Sequence, residues 1–166
     1  MKDNFLENCR DGDFKIGLLD LIDDLPFNIT MLEIGCFKGE STSLFMDSGK
    51  IFKLYAVDVW RGSKFQRAEK EFDKRLAGKN IQKFRMNIID VFSKLPMVDF
   101  VYIDGNHSYE HVKTDITYAL RKIKKGGIIS GHDYSTAYKG KVVKAVDELL
   151  GIPDKIYKDT SWLKYL

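Results

Sequence analysis

Short, continuously apolar runs alternate with amphipathic stretches about five times along this chain, and that alternation constrains its fold more than any other feature. Strands are expected at 30–34, 52–58, 81–86, 98–104 and 127–130. The first is apolar except at Glu33, the pattern of a strand covered on both faces. Helix-period segments lie between them. One spans about 40–48, and a second carries Phe65, Ala68, Phe72 and Leu76 three and four apart before Gly78. A short helical turn falls near 90–95. A longer helix sets Val112, Ile116, Ala119, Leu120 and Ile123 on one face, with Lys124-Lys125-Gly126-Gly127 expected to close it through cations and a left-handed glycine. A last helix is expected over 141–150, and 154–166 reads as two short strands in a hairpin. Upstream, Phe5, Leu6, Ile16, Leu18, Leu19, Ile22 and Leu25 mark a segment whose second half is an amphipathic helix stopped before Pro26.

Such alternation calls for an α/β fold: a doubly wound, mostly parallel, Rossmann-like sheet with helices on both faces and an antiparallel C-terminal strand pair. With 166 residues the chain is expected to be one domain: an N-terminal helical segment (1–28), a ligand-binding core (29–151) and C-terminal strands (152–166). Apolar residues at 44% and charged residues at 31% describe a soluble globular protein. The net charge of +3, with lysines scattered among acids, gives no indication of nucleic-acid or membrane binding. Cys9 and Cys36 lack metal-ligand or redox spacing. With no signal peptide and no long apolar run, the expected location is the cytoplasm, with free thiols.

Polar residues gather where this fold binds ligands. Glu33, Asp58, Asp104 and the His132-Asp133 pair all fall at carboxyl ends of expected strands, and those ends line one edge of the sheet. After Glu33 come Gly35, Cys36, Phe37, Lys38 and Gly39, then Ser41-Thr42 at a helix start, a turn that brings backbone N–H groups to a small ligand. Phe37 stands where the dinucleotide pattern G-x-G-x-x-G has its middle glycine. It hinders close approach of a pyrophosphate, so a ligand without phosphates suits the loop better. Asp58, ending the second strand, can accept ribose hydroxyls.

Glu-Ile-Gly-Cys-Phe-x-Gly-x-Ser-Thr, Tyr-Ala-Val-Asp, Phe-Val-Tyr-Ile-Asp-Gly-Asn-His-Ser-Tyr-Glu and Gly-Gly-Ile-Ile-Ser-Gly-His-Asp-Tyr together resemble a class I S-adenosylmethionine-dependent methyltransferase. The resemblance covers about residues 30–150 and is narrower toward the small-domain branch that includes macrolide-sugar O-methyltransferases. It implies S-adenosylmethionine (SAM) as cofactor and a small hydroxylated acceptor, such as a sugar or glycan precursor. By this resemblance Gly35 to Gly39, including Cys36 and Phe37, line the methionine part, with Glu33 near its amino group and Ser41 near its carboxylate. Asp58 takes the ribose; Val59 and Trp60 meet the adenine from one side, Asn87 and Ile88 from the other. His107 matches the family's general base, and Asp104, His132 and Asp133 match its divalent-metal position. His132 departs from the oxygen ligands usual there: histidine is a poor magnesium ligand and suits manganese, iron or zinc. Either the metal differs, His132 points away, or no metal is held.

Other readings of the same residues stand beside these. Asp104-Gly105-Asn106 is also ordinary turn chemistry before a helix capped by Asn106 or Ser108. Trp60 serves equally as a hydrophobic cover, Tyr109 and Tyr134 pack over cofactor or core, and His111 falls on a helix surface. An NAD-type oxidoreductase and a non-catalytic cofactor-binding module are the alternative functions. A chain this short leaves its acceptor pocket open, or completed by a second copy in a homo-oligomer.

Overall fold

A computed structural model describes residues 13–166. The chain runs α1 (Asp13–Asp23), β1 (Ile29–Ile34), α2 (Glu40–Asp47), β2 (Ile51–Asp58), α3 (Ser63–Arg75) and β3 (Ile81–Arg85). It continues through α4 (Ile88–Val91), β4 (Val98–Ile103), α5 (Tyr109–Leu120), β5 (Ile123–Gly131), α6 (Lys141–Leu150), β6 (Lys155–Ile156) and β7 (Trp162–Tyr165). The expected elements at Phe5 and Leu6, and Cys9, lie outside the described residues.

The strands form one seven-stranded sheet in the order β3-β2-β1-β4-β5-β7-β6. β1 to β5 pair in parallel, and β7 runs antiparallel against both β5 and β6. From β1 the chain winds outward to β3, then returns to β4 on the other side. The reversal lies between β1 and β4, which opens a crevice beyond their carboxyl ends.

Strand periodicity builds a core on each face. Met31, Leu54, Phe100 and Tyr102 join Leu18, Leu21 and Phe45 on the α1–α2–α3 side. Their sequence neighbours Leu32, Val101 and Ile103, with Val57 of β2, join Ile116, Ile129 and Val146 on the α4–α5–α6 side. The C-terminal end of α1 is fastened by Lys50, whose buried ammonium donates to the carbonyls of Asp23 at 2.7 Å and Leu25 at 2.9 Å. A cation there satisfies carbonyls that a helix end leaves open.

One boundary differs from expectation. The helix ends at Leu120, and Ile123 to Gly127 are strand, with Ile123 paired to Val98. Gly126 does adopt a left-handed φ of 77°, but inside β5, where the pairing with β4 shifts register between Val98 and Phe100. Lys124 caps no helix; its ammonium meets Asp99 at 2.8 Å across the sheet. Glycine's freedom serves a β-irregularity here as well as it would a helix cap.

Candidate active site

The β1–α2 loop is shaped by backbone contacts at the reversal point. Gly35 donates to Val57 O at 2.9 Å, and Asp104 donates to Ile34 O at 2.8 Å. A side chain at Gly35 would place its Cβ 2.3 Å from Asp104 O, so the two strand-end loops touch only because this residue has none. Glu33 lies wholly buried beneath the loop. Its two carboxylate oxygens accept the hydroxyls of Ser41 at 2.5 Å and Thr42 at 2.6 Å. Both hydroxyls belong to the first turn of α2, so Glu33 ties the strand to the helix start. Glu33 and Ser41, expected near the cofactor's amino group and carboxylate, are bonded to each other under the loop, because a buried carboxylate needs donors.

Asp58, at the end of β2, reaches across to the same loop. Its Oδ2 accepts the backbone N–H of Cys36 at 3.0 Å and of Phe37 at 2.9 Å, and its Oδ1 that of Trp60 at 2.9 Å. Trp60 departs from the expected adenine contact. Its ring has no exposed surface; it packs edge-on against Phe72, and its Nε1–H donates to Phe37 O at 2.8 Å. A left-handed turn at Trp60, φ 39°, rotates the side chain inward toward the core. Val59 remains about half exposed and shares a hollow of about 370 Å³ with Arg61, Arg85, Met86, Asn87 and Asp90. Asn87 caps α4 by accepting Asp90 N–H at 2.9 Å, while Ile88 is buried in the core below. Cys36 is buried too, and burial, with the nearby Glu33 and Asp58, pushes its thiol well above the usual range, leaving it chemically inert.

Titratable side chains converge beyond β4 and β5. Asp104, His107 and Asp133 bring one ligand atom each within 4.8 Å of one another, a group able to hold a metal ion. His107 Nε2 stands 2.8 Å from Asp133 Oδ2 and 3.7 Å from Asp104 Oδ1. Bonding to Asp104 and Asp133 outweighs partial burial and raises the imidazole to about 9. Burial alone would raise Asp133, but His107 and His132 hold its carboxyl well below the usual carboxylate range. Asp133 adopts φ 62°, as Phe37 adopts 44°, so left-handed non-glycine residues mark three of the strand-end loops when Trp60 is included.

The metal-capable group differs from the expected set in its histidine. His107 supplies the imidazole of that group, and His132 Nδ1 approaches the same two oxygens, 3.1 Å from Asp133 Oδ2 and 3.9 Å from Asp104 Oδ1, with its Nε2 3.9 Å from Asp159 Oδ2. Two carboxylate oxygens and one imidazole fit a divalent ion, manganese, iron or zinc better than magnesium. Asp159, wholly buried and bonded to Ser161 N at 3.0 Å, has no place in the sequence expectations. No local pattern identifies it, because it joins the site through β7 lying beside β5. Thr42 was legible beside Ser41, since both hydroxyls open the same helix.

Comparison with known proteins adds an independent line. Residues 32–134 match the model of a family described as a methyltransferase domain. An uncharacterized protein of Acanthamoeba polyphaga mimivirus is 29% identical over 132 residues, covering 74% of this chain. The chain spans 60% of the length of that relative. Among solved structures, the O-methyltransferase TomG from Streptomyces achromogenes, in complex with SAM, superposes with a TM-score of 0.66 at 16% identity, over 93% of this chain and 79% of its own. Precorrin-6y C5,15-methyltransferase from Geobacter metallireducens gives 0.63 at 17% identity, over 81% and 70%. At such identities the likeness is one of fold.

Proposed function

The chain belongs to the methyltransferase-domain family, and from that premise we propose that it transfers a methyl group from SAM to an oxygen of a small hydroxylated acceptor. One observation carries this reading: neighbouring parallel strands bring a glycine loop, Asp58 and the Asp104–His107–Asp133 group to a single crevice. The residues suit the cofactor. The hollow beside Val59, Met86 and Asn87 offers apolar walls and an amide to a flat base, and Asp58 stands between that hollow and the loop. Phe37 at the middle glycine position and the family match both speak against a dinucleotide.

SAM, when bound, supplies a methyl group already activated on a sulfonium, so the chain's own task is positioning and proton removal. Held to about 9 by Asp104 and Asp133, His107 carries a proton near neutral pH, so its Nε2 takes the acceptor's proton only in the neutral form that prevails as pH rises through 9. Asp133 and Asp104 stabilise the imidazolium, and His132 Nδ1 approaches the same two carboxylate oxygens. A second reading rests on the fit of the group to a cation: His107 would then be a ligand beside Asp104 and Asp133, and the cation would lower the acceptor hydroxyl's pKa. One nitrogen cannot serve both roles at once.

Calorimetry with S-adenosylhomocysteine, with manganese and with chelator, tests the proposal. Binding is expected, and none under any condition would remove the methyltransferase reading. His107→Ala should keep that affinity and abolish turnover; loss of manganese binding in the same variant marks His107 as a ligand, and its retention marks a base.

A further inference from the structure

The hollow on the other side of His107 is unlike the one beside Val59. It measures about 380 Å³, enough for a monosaccharide-sized molecule, and is lined by Asn106, His107, Ser108, Lys139 and Lys141. No carboxylate is among the lining residues, whereas the hollow beside Val59 includes Asp90. Ser108 precedes α5, Lys141 opens α6, and the two helices are tied through Lys113, paired with Glu148 at 2.8 Å. Among the described residues, neither Lys139 nor Lys141 has a carboxylate at ion-pair distance.

We infer that this hollow receives the acceptor, and that the acceptor carries an anionic group, a carboxylate or a phosphate, close to the hydroxyl that is methylated. This rests on the methyltransferase reading for the word acceptor, but the anion site stands on the hollow itself. The argument is one of polarity. His107 lines one end of the hollow with Asp133 and Asp104 against it, so a hydroxyl placed there meets the imidazole. Lys139 and Lys141 make the remaining wall positive, with the Asn106 amide beside them, while the Ser108 hydroxyl is bonded to His111 Nδ1 at 2.6 Å. A molecule with a hydroxyl at one end and an anion at the other is oriented by that arrangement, and a neutral one is not.

Matched probes separate the possibilities. Glucose, glucuronate and glucose 6-phosphate are titrated into the protein loaded with S-adenosylhomocysteine, and into the protein alone. At least one of the two anions should bind about tenfold more tightly than glucose. The Lys139→Gln/Lys141→Gln double variant should lose that preference and keep its affinity for S-adenosylhomocysteine. Preference for glucuronate assigns a carboxylate, and preference for glucose 6-phosphate a phosphate. Equal binding of all three, no binding of any, or an unchanged preference in the double variant would overturn the inference. If S-adenosylhomocysteine fails to bind while the lysine-dependent anion preference persists, the methyltransferase reading falls and the anion site does not.

Discussion

His107 owes its raised pKa to Asp104 and Asp133, and that has a cost at high pH. A ring that ordinarily titrates near 6.5 and is held to about 9 stabilises the fold fully below pH 6.5, and this contribution is lost as pH rises through 9. Without added metal, the protein should therefore lose about 1–3 kcal/mol of unfolding free energy across that window, and His107→Gln should flatten the loss. Denaturant titrations at pH 6 and 9.5 check this. Asp58 carries a second prediction, by counting. A carboxylate offers about four lone-pair positions, and the N–H groups of Cys36, Phe37 and Trp60 take up three contacts here. One ribose hydroxyl should therefore matter far more than the other. Of the 2′-deoxy and 3′-deoxy forms of S-adenosylhomocysteine, one should bind about tenfold more weakly than the parent and the other nearly as well. Equal losses would mean that the loop amides give way.

At the scale of elements, α1 is held to the sheet by its apolar face and by Lys50 beneath its last turn. Lys50→Met should cost about 1.5–3 kcal/mol, the worth of charge-assisted bonds to otherwise open carbonyls, with no change in S-adenosylhomocysteine affinity. Thermal unfolding beside calorimetry reads both. Most element positions were legible in the sequence because the central strands β1 and β4 are covered on both faces and the longer helices carry a strip of apolar residues. Where the reading failed, one local signal had two uses. Lys124 to Gly127 has the chemistry of a helix end and the geometry of a strand irregularity, and only pairing with β4 decides between them. Trp60 had two readings, an adenine contact by resemblance and a hydrophobic cover, and a left-handed turn with packing against Phe72 decides for the cover. Polar strand ends were easier to read, since topology alone brings Asp58, Asp104 and Asp133 to one edge.

Across the whole molecule, the site draws on residues from Glu33 to Asp159, and the last of these arrives on the hairpin that closes the sheet. Asp159 reaches the group through His132: its Oδ2 lies 3.9 Å from His132 Nε2, and His132 Nδ1 lies 3.1 Å from Asp133 Oδ2. Supports of this kind typically change metal affinity by 10–100-fold. Asp159→Asn should weaken manganese binding at least about tenfold while leaving S-adenosylhomocysteine binding intact, a pair of titrations that separates support of the site from general damage. The same arrangement fixes an order of events during translation. Asp159 follows every other site residue in the chain, so the ribosome delivers it last among them. A nascent chain that has already folded β1 through β5 still lacks the backing for His132. If the group holds a cation as in the second reading above, its affinity should stay low until the hairpin docks.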